Sequence, residues 1–395
     1  MRWLDKYILF SSVFALFTES FTFHYIIDWK LFYVIVFSNL ILLATRKKLT
    51  IHSNIIYVFI FFILHGIIFY FWYQNPIKSL IAQLIGIGLS SIYYYNFLKQ
   101  YGTKLAYETY LKLTVILAVL AIIMFYLGIH VFIYNRLNGI LSEPAHYVAI
   151  VLPATYVFFR NKEYLKFTIV LITIFLAKSS IGYIGLVLVM ILPLLKVKYF
   201  VKYLWIVGVV LAISTYYIST QWNKPVDENE SNVLVRRLKE TQESLNAILT
   251  GKFKKHTNLS SYAFLSNTYV TRKVFLSKPL GAGLGSYPYE YDKYYPELKP
   301  PPYLVTLNQS KINRTDANSL FLRLTVDLGI FGLLLVLFFI YRSSKLFKND
   351  KKIIQQSTFF YLVLKLIREG HYFPPEFYFF LLIFLKDFNE DITYS

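Results

Sequence analysis

The sequence predicts an all-α polytopic membrane protein with about twelve transmembrane helices and one large extracytoplasmic loop between the ninth and the tenth. Three observations predict it. Apolar residues make up 56% of the 395 and charged residues 16%, whereas a soluble domain carries about a quarter charged residues. Most of the apolar residues fall in blocks of roughly 17 to 23, long enough as helices to cross a hydrocarbon core of about 30 Å. The second, seventh, eighth and last two blocks are shorter and marginal against the usual ~20 residues. One polar, basic interval, 221–318, stands apart in an otherwise apolar chain.

In chain order the blocks are Tyr7–Ile27, Leu31–Thr45, Ile55–Tyr73, Ile77–Leu98, Leu113–Ile133, Leu141–Phe159, Leu165–Ala177, Ile181–Leu195 and Tyr199–Ser219. After the loop come Leu320–Tyr341, Ile353–Ile367 and Glu376–Leu385. Residues 1–220 therefore read as a bundle of about nine spans, 221–318 as the loop, and 319–395 as three spans and a short tail. Met1-Arg2-Trp3-Leu4-Asp5-Lys6 leads into the first block without a small-residue cleavage site, so that block is expected to be retained as a span.

The net charge is +19, a value that in a soluble protein would point to nucleic acid. Here it is explained by topology. With the N-terminus in the cytoplasm, Arg46-Lys47-Lys48, Lys99/Lys104/Lys112, Arg160/Lys162/Lys166, Lys196/Lys198/Lys202 and Arg342/Lys345/Lys348/Lys351/Lys352 all fall on inner loops. That is about twenty basic residues on short inner loops against about six on short outer ones, the positive-inside asymmetry. Both termini are then cytoplasmic, the 221–318 loop is outside, the partner is the lipid bilayer, and no nucleic acid is needed. There is no cysteine, which excludes disulfides and thiolate metal sites.

Within the loop, Val233, Leu234, Leu238, Leu245, Ile248 and Leu249 recur at helical spacing. Ser231 stands before them and Gly251 after, so an amphipathic helix is expected there. From Gly281 onward, glycines and Pro279, Pro288, Pro296 and Pro300-Pro301-Pro302 predict turns and extended chain.

Polar groups beside spans are the candidates for chemistry, because an ionisable side chain there is costly unless it is paired or lines a wet cavity. Between the fifth and sixth spans lie Arg136, Glu143 and His146; Glu143 and His146 share a helical face if the helix starts near Pro144. Two ligand-type residues do not complete a metal site, and no metal is expected. Lys178 sits on the turn before Ser179-Ser180, as a snorkelling anchor or an anion ligand. Arg272 precedes Gly281, Gly283 and Gly285, whose backbone can bring amides close to an anion, with Arg272 as a bidentate partner. Arg314 and Asp316 stand at the mouth of the tenth span, and Arg323 and Asp327 within it are spaced to pair. Basic clusters with one or two carboxylates suit a reaction in which cations hold a pyrophosphate and a carboxylate or histidine deprotonates an attacking hydroxyl.

Three stretches resemble the O-antigen polymerase/ligase family: Arg136-x-x-Gly139-x-x-x-Glu143-Pro144, Pro279-x-Gly281-x-Gly283-x-Gly285-Ser286-Tyr287, and Asp316-Ala317-Asn318-Ser319-Leu320-Phe321-Leu322 running into Asp327-Leu328-Gly329-Ile330-Phe331-Gly332. Ten residues separate Arg272 from Gly283, a spacing similar to that of the family's polymerases. The resemblance implies a metal- and cofactor-independent membrane glycosyltransferase in the bacterial cytoplasmic (inner) membrane, with undecaprenyl-pyrophosphate-linked oligosaccharide as donor. It implies Arg136, Arg272 and Arg314 as contacts to donor pyrophosphate or glycan, and the expectation extends to Lys178, Gly281 and Gly283. The family's ligases show His-Asn where this chain has Ala317-Asn318, and Ser-Arg where it has Ser179-Ser180; both departures favour a polymerase. The base is left among Asp316, Glu143 and His146, in that order. The expected role is polymerisation of repeat units into O-antigen, capsule or exopolysaccharide, with a chain-length regulator protein as a further partner. The alternatives are an O-antigen ligase, a polysaccharide flippase or transporter, and a structural or sensory membrane protein.

Overall fold

A computed structural model describes residues 3–25, 27–46, 49–129, 135–194, 244–374 and 376–386. The first elements are α1 (Trp3–Phe14) with a 3-10 turn at Ala15–Phe17, an antiparallel ribbon β1 (Thr22–Tyr25) and β2 (Ile27–Lys30), and α2 (Leu31–Arg46). The predicted first span, Tyr7–Ile27, is thus not one helix. It ends at Phe17, and the chain turns through the ribbon, leaving Glu19 at the ribbon's foot rather than inside a helix.

Next come α3 (Ser53–Tyr73), α4 (Ile77–Tyr101) and α5 (Thr103–Tyr126). By length and composition these three can cross a membrane. His52 caps α3 by accepting from the Asn54 amide, and Gln74 closes it in the left-handed conformation. Gly102, with φ +76°, separates α4 from α5. Helices α6 (Pro144–Arg160), α7 (Tyr164–Leu176) and α8 (Ser180–Ile191) follow, and Pro144 opens α6, where its missing N–H costs nothing. The ninth predicted span and most of the predicted amphipathic helix lie outside the described residues. Of that helix only α9 (Ala247–Thr250) is described, closed by Gly251 with φ +69°.

The rest of the loop is folded. It contains α10 (Leu259–Ser277), α11 (Tyr287–Tyr294) and α12 (Pro302–Thr306). The sequence reading expected only turns and extended chain after Gly281. Helix α11 forms there because its tyrosines, Tyr287 and Tyr291, have an apolar seat against Tyr269, Val270, Val274 and Leu298. Phenols tie the segment together: Tyr262 donates to the Ser310 carbonyl at 2.5 Å and Tyr303 to that of Thr257 at 2.7 Å.

The predicted tenth span is two helices, α13 (Leu320–Leu328) and α14 (Ile330–Leu346). Gly329 breaks it with φ +58° and ψ −131°, a region closed to side chains. The freed Ile330 amide donates to the Pro279 carbonyl at 2.9 Å, so the break is buried against the loop. Helices α15 (Ile353–Arg368) and α16 (Phe377–Leu385) complete the order.

Helix α15 packs between α6 and α16, and α6 also meets α7 and α8. The core is aromatic, with Tyr93, Tyr94, Phe97, Tyr107, Tyr110 and Phe379 fully buried. Each buried phenol needs a polar partner in an apolar interior. Tyr110 shows why they are used. Pro153 disturbs α6, and the Tyr110 hydroxyl inserts there, donating to the Ile150 carbonyl at 2.5 Å and accepting from the Ala154 amide at 3.3 Å. Charged pairs mark one end of the bundle, with Arg46–Asp5 at 3.4 Å and Arg160–Asp350 at 3.2 Å. The folded loop and the turns described next gather at the other.

Candidate active site

Asp327 organises the contact between loop and bundle. It is fully buried on α13 and its carboxylate accepts from the Gly285 amide (2.8 Å), the Tyr287 amide (3.0 Å), Ser286 Oγ (3.2 Å) and the Tyr372 hydroxyl (2.9 Å). Buried Arg323 lies 3.6 Å away and stacks on the Tyr372 ring. The glycine cluster does bend its backbone amides around an anion, and within the chain that anion is Asp327. Gly281 and Gly283 have φ of +95° and +99°. A Cβ at Gly281 would meet the Asp327 carbonyl at 2.6 Å, and one at Gly283 the Tyr70 ring at 2.7 Å. The Gly281 amide donates to the Lys278 carbonyl and that of Gly283 to the Asp327 carbonyl, both at 2.9 Å. Their glycine character is required by close packing.

Arg136 donates from Nε and Nη2 to the carbonyls of Ala177 and Lys178, both at 3.1 Å, and so caps the C-terminus of α7. Lys178 is exposed beside it, with φ +45°. Arg272 is exposed on α10. Arg314 makes a two-armed contact with Asp292, with Nε to Oδ1 at 2.8 Å, and Lys311 joins at 3.3 Å. Hydrogen bonds from Arg314, aided by Lys311, hold the Asp292 carboxyl below its usual range.

The three candidate bases are separated by their surroundings. Glu143 stands exposed before α6 and makes no capping bond. His146, one turn inside α6, places Nδ1 2.9 Å from Glu19. Glu369, at the end of α15, completes a triad whose ligand-type atoms lie within 4.8 Å of one another. Lys365 Nζ is 2.5 Å from Glu369 and buried with it, so an ammonium already supplies the countercharge a cation would bring. A small crevice, with room for about one water, opens beside the triad, lined by Ala145, His146, Tyr361, Lys365 and Arg368 among others.

Asp316 sits in a turn locked to the end of α15. Ser319 Oγ donates to the Leu366 carbonyl at 2.6 Å, Arg368 to Asn318 Oδ1 at 2.7 Å, and Arg323 to the Gly370 carbonyl at 3.0 Å. A Cβ on Gly370 would fall 1.4 Å from the Asp316 carbonyl oxygen. Ala317 and Asn318 are both left-handed, with φ of 62° and 59°, and for alanine this is strain that the surrounding contacts must hold. Across the joint, His371 Nε2 lies 3.8 Å from Asp316 Oδ2. Sequence reasoning missed Glu19, Lys365, Arg368, Glu369 and His371. Each is ionisable and stands in or beside an apolar run, which was the signal available.

Residues 165–337 match the family model described as O-antigen ligase. Over those residues, less than half of the chain, the sequence is similar to an O-antigen ligase. The O-antigen ligase/polymerase-like family comprises membrane glycosyltransferase-like enzymes acting on lipid-linked polysaccharide. No curated protein matches the chain. The O-antigen ligase-like segment runs from α7 into α14 and includes Lys178, Arg272, Arg314 and Asp316. Arg136, Glu143, His146 and the end of α15 lie outside it, so the candidate residues come partly from the matched segment and partly from helices around it.

Proposed function

We propose that the chain is a polymerase joining undecaprenyl-pyrophosphate-linked oligosaccharide repeat units at the outer face of the bacterial cytoplasmic membrane. It would be multi-pass with both termini inside, without metal, and able to work with a chain-length regulator. The observation that carries this reading is the joint between residues 316–319 and 366–371, which sets Asp316 3.8 Å from an imidazole and ties its neighbour Asn318 to Arg368, in a chain whose residues 165–337 are similar to an O-antigen ligase. In this reading Asp316 belongs to the base system that activates the acceptor hydroxyl, while exposed Arg272 and Lys178 meet the donor pyrophosphate. Arg314 and Arg136 act on that surface through Asp292 and the end of α7, and Gly281 and Gly283 through the clasp on Asp327. Glu143 and His146 are the other candidate bases.

The test is the chain-length ladder of cells carrying Arg272→Ala or Asp316→Asn. The reading expects single repeat units on lipid and loss of long chains. Unchanged ladders in both variants would remove the assignment. A second reading, from the O-antigen ligase similarity, is transfer of the finished glycan to lipid A core. In that case the variants would retain long chains on the lipid carrier and lose them from the core.

A further inference from the structure

We propose that His371 is the general base of the glycosyl transfer and that Asp316 is the carboxylate that orients it. The inference rests on the polymerase reading above and names the atom that receives the proton. Of the two partners, His371 is the one a substrate can reach: its side chain is 43% exposed and that of Asp316 is 11% exposed. One Asp316 oxygen, Oδ1, accepts from the Asn318 amide at 3.3 Å, and the other, Oδ2, faces the ring. A gap of 3.8 Å is long for a hydrogen bond, as base-to-orienter contacts often are before substrate arrives.

The other candidates are less suited. His146 is held between Glu19 and Glu369 with little of its ring open, and Glu143 is exposed with no capping bond to fix it. By contrast, everything around the Asp316–His371 joint fixes its geometry. Arg368, Arg323 and Ser319 clamp the two turns together, and Gly370 leaves no gap between them. Two consecutive left-handed residues are a cost that only a positional demand explains. The charged groups facing the ring are Glu369 and Lys365 from its own end of α15, Arg323 from α13, Lys30 from β2, and Asp316. Loss of water around the partly buried ring pushes the imidazole pKa down, Glu369 pulls it up, and the three cations push it down again. The ring is therefore neutral near pH 7, and its basicity for the transfer depends on the Asp316 contact tightening when substrate arrives.

The step balances as follows. The acceptor O–H bond breaks and its proton goes to the free nitrogen of His371. The acceptor oxygen bonds to the anomeric carbon of the donor sugar. The bond from that carbon to the phosphate oxygen breaks, and the lipid pyrophosphate leaves with the electron pair. The imidazolium, stabilised by Asp316, then returns its proton to water.

The experiment uses the full chain in nanodiscs with a fluorescent lipid-pyrophosphate repeat unit. It follows both chain elongation and release of the lipid pyrophosphate, in wild type, His371→Gly and His371→Gln, with and without added imidazole. The inference expects His371→Gly to lose about 100-fold or more in rate, and imidazole to restore part of that loss in His371→Gly but none in His371→Gln. His371→Gly at the wild-type rate would overturn it, and so would a loss that imidazole leaves untouched, because that pattern marks a structural role. Wild type that releases lipid pyrophosphate without elongating would overturn the polymerase reading alone, and the rescue would still decide His371. Wild type that leaves the donor intact would overturn both.

Discussion

Replacing Asp327 with alanine should uncouple the loop from the bundle. The carboxylate takes hydrogen bonds from Gly285, Ser286, Tyr287 and Tyr372 and sits 3.6 Å from Arg323, which is itself 3% exposed. Bonds to a charged group are worth about 1.5–3 kcal/mol each, but four of them do not add, because the loop amides can turn to water once freed. The larger cost is the stranded guanidinium. Removing one member of a buried pair typically costs about 3–5 kcal/mol, and that is the expected destabilisation. For a chain of 395 residues it corresponds to a fall in melting temperature of about 4–6 °C. The assay is thermal unfolding of purified protein in detergent, paired with limited proteolysis between Lys278 and Lys299. Asp327→Ala should melt early and be cut there, whereas Arg323→Met/Asp327→Ala should recover part of the loss by removing the stranded charge. If the single variant melts with wild type and the segment stays protected, the carboxylate is not the clasp.

Three further outcomes follow from the same geometry. Gly370→Ala must push the Asp316 carbonyl aside, and a displacement near 1 Å at a reacting group can cost about 100-fold in rate. It should abolish transfer while the Asp327 clasp still resists proteolysis. Lys365→Met should destabilise by leaving Glu369 buried without its ammonium, and the double variant Lys365→Met/Glu369→Gln should be more stable than the single, read by melting temperature. The Asp292–Arg314 pair has a pH signature. The folded carboxyl titrates below its ordinary 3.8, so its contribution is full above that value and disappears as pH falls through the folded one. Asp292 is about a third exposed, so the pair is worth at most about 1 kcal/mol. Arg314→Ala should lower the melting temperature slightly at pH 7, and the difference from wild type should shrink as pH falls below 3.8.

Periodicity and composition made the helical class and most helix positions legible, because long apolar runs have few alternatives. They did not reveal the break at Gly329. A single glycine among leucines and valines scores as part of a span, and the reason for the break is Pro279 arriving from fifty residues away. Nor did they reveal the ribbon at Thr22–Lys30, whose apolar residues read as helix until Glu19 is seen to need His146. For the site, sequence order was the obstacle. Asp316 is singled out because it begins a motif, while His371 and Glu369 stand in an eight-residue turn that reads as a connection between spans. Arg314 and the glycines were noticed for the right chemistry, cation and anion cradle, but their partners Asp292 and Asp327 are supplied by the fold. Charge type can be read from a sequence; which charge is already satisfied cannot.

The central claim, that this chain elongates a lipid-linked glycan, is tested most directly by reconstitution. Purified protein in nanodiscs is given a single defined lipid-pyrophosphate repeat unit and no other acceptor, and the products are resolved by length. The account predicts a ladder of repeat units on the lipid carrier with one lipid pyrophosphate released per added unit. A donor that stays monomeric here, and is consumed only when lipid A core is supplied, would contradict it.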